Sequence, residues 1–135
     1  MGRATVKSLT RHELVLPDYH PPTLNQLTRG KRRDRIGLGT EVRQIVGAYC
    51  YLQKVQLATG KRRVTVVITL GPGQRAADVD AYHKGLLDAL RCAGLIRDDS
   101  RQWCELAPVQ FERGPARKTL IILEDVDDAL AAVGR

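Results

Sequence analysis

One short run of β-branched side chains constrains the fold of this chain more than any other feature. Residues 64–70 read VTVVITL, so that valine, isoleucine and leucine are interleaved with threonine. This composition and its period of two are typical of a β-strand. The following Gly71-Pro72-Gly73 ends the strand. The run is far shorter than the ~18 apolar residues of a membrane span, so the sequence predicts a soluble folded domain.

Two amphipathic helices are predicted, one on each side of this strand in the sequence. In the first, Thr40 is the expected N-cap, apolar residues recur at helical spacing, and the helix ends before Gly60. The second runs from residue 78 to residue 93, and Gly94 supplies its stop. The apolar stripe of each helix indicates a buried face.

Two further strands are predicted towards the C-terminal end of the chain. They cover residues 103–112 and 117–124, and the short interval at Gly114-Pro115 suits a hairpin. Pro108 confines the first of the two strands to a sheet edge or a bulge, because proline has no N–H for a central ladder. Asp127 is the predicted cap of a last short helix.

The order of these elements predicts a single α+β domain. A strand over residues 13–17 precedes a loop over residues 18–39, since prolines and glycines punctuate that stretch. The full order is then β-α-β-α-β-β-α. The length of 135 residues favours one small domain covering residues 1–135, in which a mixed sheet packs with two main helices.

The charge of the chain predicts a polyanionic partner. There are 22 lysines and arginines against 15 aspartates and glutamates, which gives a formal net charge of +7. Such an excess raises the local affinity for phosphate and favours nucleic acid over a membrane surface. Two dense basic runs are the candidate phosphate contacts, with solvated surface charge as the alternative for each residue. The predicted DNA-contacting residues are Lys31, Arg32, Arg33, Arg35, Lys61 and Arg62.

Cysteine usage predicts a reducing compartment. Cys50, Cys92 and Cys104 are odd in number and form no C-x-x-C pair, which argues against a disulfide framework and a zinc ribbon. Residues 1–10 are basic and lack the apolar core of a secretory signal. No G-K-[ST] follows the glycines after residue 70, so no nucleotide-binding loop is predicted. We therefore expect a cytoplasmic protein without a nucleotide cofactor.

Acidic residues are concentrated in one stretch of this basic chain. Five aspartates fall within 22 positions, namely Asp78, Asp80, Asp88, Asp98 and Asp99. They would repel phosphate unless a cation neutralised them, and Mg²⁺ prefers such carboxylate oxygens and can also bind a scissile phosphate. The alternative is that they are helix caps and ordinary ion pairs, such as one between Asp80 and Lys84.

The spacing of these aspartates allows the later ones to return to the first. A helix from Asp80 to Ala93 rises about 20 Å, and five extended residues from Gly94 to Asp99 return about 17 Å. A nearly straight antiparallel return therefore brings Asp99 almost level with Asp80. Stopping at Asp98 would shorten the return by about 3.5 Å, so the spacing favours Asp99, and if Asp99 faces the other aspartates Asp98 faces away from them.

This acidic stretch also resembles a family signature. Residues 78–90 read DVDAYHKGLLDAL and residues 94–99 read GLIRDD. The combination is similar to the pattern of RusA-type Holliday junction resolvases, which is D-x-D-N-x-x-K, then D-A-L, then a glycine and a D-D pair. Residues 21–25 (PPTLN) resemble the early P-x-S-x-N segment of the family more weakly.

The resemblance implies an activity and a set of site residues. Members of the family are small, dimeric, Mg²⁺-dependent endonucleases of phage and prophage origin. The resemblance implies that Asp78, Asp80 and Asp99 hold the metal, which is Mg²⁺ with Mn²⁺ able to substitute. It also implies that Lys84 is the catalytic lysine, which stabilises charge on the scissile phosphate. The asparagine that the family usually has after the second aspartate is Ala81 here.

We therefore expect a homodimeric endodeoxyribonuclease that resolves four-way DNA junctions in recombination and repair. Its expected partners are branched DNA and a second copy of the chain, with no membrane. Two alternatives stay open. Ala81 favours a catalytically lapsed accessory protein that binds branched DNA with the same fold, and a basic RNA-binding module would use its aspartates only as helix caps.

Overall fold

A computed structural model of the chain describes residues 10–28, 32–77 and 79–126, and at residues 32–36 and 79–80 it describes the backbone alone. Within these ranges the chain forms five strands and three α-helices, and no helix there is long and apolar enough to cross a bilayer. In chain order they are β1 (Arg11–Pro17), α1 (Leu24–Thr28), α2 (Arg32–Gln53), β2 (Arg62–Leu70), α3 (His83–Cys92), β3 (Cys104–Leu106), β4 (Gln110–Arg113) and β5 (Lys118–Asp125).

One mixed sheet organises the domain. Strand β5 lies between β1 and β2 and is antiparallel to both, while β3 and β4 pair in parallel with the other side of β2. Parallel pairing requires a crossover connection, and α3 lies in the one between β2 and β3. The predicted α+β class, with a mixed sheet and two main helices, is confirmed.

The core lies between this sheet and the helices. Alternate residues of β2 point into it as the period of two predicts, and Val64, Val66 and Ile68 are each at most 1% exposed. They belong to one cluster with buried side chains of α2 and α3, among them Val46 and Leu90. Full burial of one such side chain stabilises the folded state by about 1.5–3 kcal/mol. The predicted strand over residues 64–70 supplies several of these side chains and therefore forms a central part of the core.

The predicted loop over residues 18–39 contains helical segments. The short helix α1 lies in the middle of this stretch, and α2 already begins at Arg32. Thr40 therefore lies inside a helix instead of capping one. Gly37 and Gly39 each disfavour a helix by about 1 kcal/mol relative to alanine. The buried apolar face of the later turns of α2 outweighs that cost.

The predicted hairpin is also wrong. β3 and β4 share one edge of β2, whereas β5 lies on the other side of β2 and pairs with it there. Pro108 lies in the break between β3 and β4, and the N–H of Ala107 before it donates to the carbonyl of Val64 at 3.0 Å. The prediction that Pro108 belongs at a sheet edge is confirmed.

The second predicted helix begins later than expected. A 3₁₀ turn occupies Val79–Tyr82, and α3 follows from His83. Gly94 follows the helix with a φ of +78°, which glycine adopts without steric cost, as its predicted stop role requires. Asp78 and the predicted helix from Asp127 lie outside the described residues.

A side chain occupies the outer edge of β1. The carboxamide of Gln53, the last residue of α2, accepts a hydrogen bond from the Val15 N–H at 2.9 Å. The same carboxamide donates a hydrogen bond to the Val15 carbonyl at 2.7 Å. These backbone groups are the ones that a further strand would use, so the side chain takes the place of a strand at this point.

Candidate functional site

A shallow groove forms where α1, α2 and α3 meet. Gly85 allows this close approach, because a Cβ there would lie 3.0 Å from Leu27 Cδ1 of α1. The groove has a volume of about 190 Å³ and contains Lys84, the predicted catalytic lysine. It is called the α3 groove here, and its lining residues are Leu27, Thr28, Gly39, Arg43, Lys84, Gly85 and Asp88.

Lys84 is exposed and weakly paired in this groove. Its Nζ lies 3.9 Å from Asp88 Oδ2, and Arg91 Nη2 lies 3.8 Å from Asp88 Oδ1. Ion pairs of this length on a surface contribute between 0 and about 1 kcal/mol. The lysine ammonium is therefore available to a stronger anion, and Asp88 is a structural counter-charge for two cations.

The N-terminal turns of α2 bring the first predicted basic run to the α3 groove. Gly39 lines the groove, and the backbone of Arg35 lies about one helical turn before it. At a rise of about 1.5 Å per residue, the backbones of Arg32 and Arg33 lie within about 11 Å of Gly39 along the axis. The side chains of these arginines and the whole of Lys31 lie outside the described residues.

Arg43 is a candidate that the sequence reading missed. It lines the α3 groove, and its Nη2 donates a hydrogen bond to Thr40 Oγ1 at 3.2 Å. Arg35, Gly39 and Arg43 recur every four residues and therefore follow one face of a helix. The predicted loop up to residue 39 hid this periodicity.

A buried tyrosine anchors the 3₁₀ turn that carries Asp80. Tyr82 is 1% exposed, and its hydroxyl accepts a hydrogen bond from the Ala77 N–H at 3.0 Å. Its ring packs edge-to-face on Phe111, with the ring centroids 5.9 Å apart. The backbone of Asp80 therefore enters α3 within about 8 Å of Lys84 along the axis. The side chain of Asp80 lies outside the described residues.

The imidazole beside this tyrosine is held neutral. His20 Nε2 lies 3.2 Å from the Tyr82 hydroxyl oxygen. Burial, followed by the positive charge of Arg117, lowers the pKa of His20 below its usual value. Burial therefore favours the neutral imidazole beside the turn that carries Asp80.

Asp99, the predicted third metal ligand, lies beside the start of β3. It is exposed and shares a cavity of about 390 Å³ with Lys61 and Cys104. Burial raises the pKa of the Cys104 thiol to about 11, and the negative charge of Asp99 adds to that shift while Lys61 opposes it. Cys104 is opposite Arg62, the first residue of β2, so Asp99 lies near the beginning of that strand.

The 3₁₀ turn lies towards the other end of β2. Tyr82 packs on Phe111, which is opposite Ile68, six residues beyond Arg62. Six residues of parallel strand span about 20 Å. The nearly straight return predicted after α3 does not form: residues 95–97 bend, and the Cys104 N–H donates to the carbonyl of Ser100 at 2.9 Å, which keeps the residue after Asp99 beside the start of β3.

Asp99 therefore lies near the beginning of β2 and the backbone of Asp80 towards its other end, and the assignment of Asp99 as third ligand stays a prediction. Among the residues that the structure describes, no group of three or more histidine, cysteine, aspartate or glutamate side chains could hold a metal ion. Asp78 and the side chain of Asp80 are not among those residues.

One predicted DNA contact, Arg62, is corrected by its burial. The side chain is 1% exposed, and its Nε donates to Asp125 Oδ1 at 2.7 Å. Its two terminal nitrogens donate to the carbonyls of Leu95 (3.0 Å) and Leu57 (3.4 Å). A guanidinium enclosed in this way has no surface for a phosphate. The sequence indicated this burial, because side chains of a strand alternate between its two faces and Arg62 lies two residues before the inward-facing Val64.

Comparison with protein families and with curated proteins gives no match. No protein-family model matches the chain, and no curated protein matches it closely enough to count as related. The function is therefore inferred from the residues and the geometry of this chain.

Proposed function

We propose that this protein is a divalent-metal-dependent endonuclease that resolves four-way DNA junctions in the cytoplasm of a bacterial or phage-infected cell. One observation carries the proposal, namely that the α3 groove joins Lys84 to the N-terminal turns of α2 and so to the basic run around Arg33. Cleavage of a DNA backbone needs a cation at the reacting phosphate and a track of cations for its neighbours. The resemblance of residues 78–99 to RusA-type resolvases supports the specific activity.

Lys84 is the proposed catalytic residue. Its side chain is 63% exposed and its pairing with Asp88 is long, so a phosphate oxygen can displace Asp88 at little cost. An ammonium that meets the charge developing on the phosphorane stabilises the transition state more than the bound substrate. Arg43 on the opposite wall of the groove would bind a neighbouring phosphate.

Two aspartates that precede α3 in the sequence are the proposed metal ligands. Asp78 and Asp80 are two residues apart and provide the oxygen donors that Mg²⁺ prefers, with Mn²⁺ able to substitute. When bound, the ion supplies an activated water and a counter-charge for the phosphate. Asp99 is the third ligand that the resemblance implies, and it lies beside the start of β3 with Lys61 and Cys104.

Incubation of a labelled four-way junction with the purified protein tests this proposal. We expect symmetrically paired cuts in Mg²⁺, none in EDTA, and little cleavage of a linear duplex with the same arm sequences. Cleavage that persists in EDTA would contradict the metal dependence. Equal cleavage of the linear duplex would contradict the junction specificity.

The distance between Asp99 and the α3 groove makes a separate prediction. Asp99→Asn is expected to change the rate of junction cleavage less than three-fold, because Asp99 lies near the beginning of β2 whereas the turn that carries the Asp80 backbone lies towards the other end of that strand. Single-turnover cleavage at saturating Mg²⁺ measures this rate. An Asp99→Asn protein that is folded but inactive would mean that this carboxylate reaches the site from another chain.

The basic run of α2 makes a prediction about salt. Replacing Arg32 and Arg33 with glutamine should flatten the slope of log affinity against log salt by about 0.9 for each phosphate that the chain no longer neutralises. Replacing Lys54 and Arg101 removes the same charge from exposed positions away from the α3 groove and should leave the slope nearly unchanged. Fluorescence anisotropy with a labelled junction measures both slopes, and equal flattening would contradict the assignment of the run.

A second function is favoured by one specific observation. Ala81 stands where the resolvase pattern has asparagine, which removes one polar group next to Asp80. The alternative is a DNA-binding accessory protein of the same fold with a lapsed site. It would bind a four-way junction with the same salt dependence but cut it in neither Mg²⁺ nor Mn²⁺.

A further inference from the structure

An apolar groove lies at the opposite end of the α2–α3 pair from the α3 groove. It has a volume of about 630 Å³, and it is formed by residues between positions 47 and 57 together with Ala93. Three of its large apolar side chains are exposed, namely Tyr51 at 82%, Leu52 at 68% and Leu57 at 57%. A contiguous exposed apolar surface of this kind marks an interaction site. It is called the α2-end groove here.

The lining of the α2-end groove is continuous with the core. Cys50 is 8% exposed and belongs to the core cluster, and Val55 and Ala93 pack against that cluster. The Leu57 side chain reaches the residue after the end of α3, since a Cβ on Gly94 would lie 3.4 Å from Leu57 Cδ2. An apolar side chain that entered the groove would therefore extend the existing core and be removed from water.

The chain leaves the described part of the structure close to this groove. The N–H of Val126, the last residue described, donates to the carbonyl of Lys61 at 2.9 Å. Just before it, Asp125 accepts a hydrogen bond from Arg62 Nε, and the same guanidinium donates to the carbonyl of Leu57. One side chain therefore bridges the end of β5 and a residue of the groove, so the segment after Val126 begins within reach of the α2-end groove.

The nine residues after β5 and Val126 have the sequence pattern of a short amphipathic helix. They read DDALAAVGR, with Asp127 as the predicted cap. Ala129, Leu130 and Val133 are spaced three and four residues apart, so that they share one face of a helix. A helix of this length is marginal in water on its own and is stabilised mainly by packing of its apolar face. The segment therefore needs an apolar surface close to its start.

We infer that residues 127–135 form a helix that docks in the α2-end groove through Leu130 and Val133. Nine helical residues span about 13 Å, which is enough to cover the part of α2 from Gly47 to Leu52, about 8 Å long. Because β5 tethers the segment beside the groove, docking avoids the loss of translational freedom that a separate partner would have to offset. The inference is independent of the proposed function, since it concerns the opposite end of α2 from Lys84.

Amide hydrogen exchange of the whole 135-residue chain, followed by NMR without DNA or metal, tests this inference. In a helix capped by Asp127, the amides of residues 131–133 are the first to donate to backbone carbonyls of the same helix. We expect these amides to exchange at least ten-fold more slowly than those of a synthetic peptide with the sequence of residues 127–135. Exchange at the rate of the peptide would overturn the inference.

Leu130→Ser and Ala131→Ser are matched variants of the segment. The two residues are neighbours in the sequence, but on a helix Leu130 lies on the apolar face and Ala131 on the opposite face. We expect Leu130→Ser to bring the exchange of residues 131–133 to the rate of the peptide, and Ala131→Ser to keep it within about three-fold of the wild type. Equal exchange rates in the two variants would overturn the docking through Leu130.

Tyr51→Ser/Leu57→Ser tests the same contact from the side of the groove. Both side chains are more than half exposed, so the amides of β2 should remain protected as in the wild type and show that the variant is folded. We expect residues 131–133 to exchange at the rate of the peptide in this variant. Protection that survives there would mean that the segment packs elsewhere, and this would overturn the inference. Protection that rises with protein concentration would also overturn it, because the groove would then hold a segment of a second copy.

Discussion

Asp80→Asn is expected to lower the rate of Mg²⁺-dependent junction cleavage by ~100-fold or more while the protein remains folded. The substitution removes a charged oxygen donor from the proposed metal site and leaves the shape of the residue almost unchanged. Junction affinity in EDTA should be retained or rise slightly, because one negative charge facing phosphate is lost. Single-turnover cleavage and fluorescence anisotropy measure the two effects separately.

Asp88→Asn is the matched control for this prediction. It makes the same change two helical turns further along, where Asp88 pairs only at 3.8–3.9 Å with Arg91 and Lys84. We expect it to change the cleavage rate less than ten-fold. If a folded Asp80→Asn protein cleaves like the wild type, the metal assignment is wrong. If both variants are equally inactive, the loss of cleavage follows from the removal of one negative charge in this region and not from a specific role of Asp80.

Arg62→Met is expected to lower the free energy of unfolding by about 3 kcal/mol or more. Methionine retains most of the volume but none of the five donors of arginine. The change removes the 2.7 Å ion pair with Asp125 and the hydrogen bonds to the carbonyls of Leu95 and Leu57. Buried acceptors that lose a charged donor pay the cost of desolvation without compensation. Urea unfolding measures the difference.

Arg63→Met provides the comparison for Arg62. Arg63 is the next residue along β2, and its ion pair with Glu105 is 2.8 Å long but joins side chains that are 47% and 45% exposed. Exposed pairs contribute up to about 1 kcal/mol, so this variant should lose no more than that. Equal losses for the two arginines would contradict the structural role assigned to Arg62.

The sequence patterns correctly predicted those elements in which the conformational preference of the segment agrees with its packing in the folded domain. The alternation in residues 64–70 became β2 because the same side chains that favour a strand also fill the core. Gly94 ends α3 because a φ of +78° is a local property of that residue. The loop over residues 18–39 was wrong because its glycines were judged without the packing of the later turns of α2.

The partner of a strand cannot be read from local spacing. Residues 103–112 and 117–124 have the spacing of a hairpin, yet β4 and β5 flank opposite sides of β2. The same limit applies to the site. A straight return after α3 would be long enough to bring Asp99 back towards Asp80, but residues 95–97 bend and the Cys104 N–H binds the carbonyl of Ser100. The path after the helix therefore depends on how β3 pairs with β2, which the length of the segment does not reveal.

The carboxamide of Gln53 has a consequence for how copies of this chain can accumulate. An unpaired strand edge is a template on which further chains add one after another, and such growth does not stop at two. On β1, an incoming strand would first have to displace the two hydrogen bonds of Gln53 to Val15. On the far edge, the break at Pro108 interrupts the ladder that a new strand would need. Within the described residues, the open-ended addition of strands is thereby obstructed at both edges of the sheet.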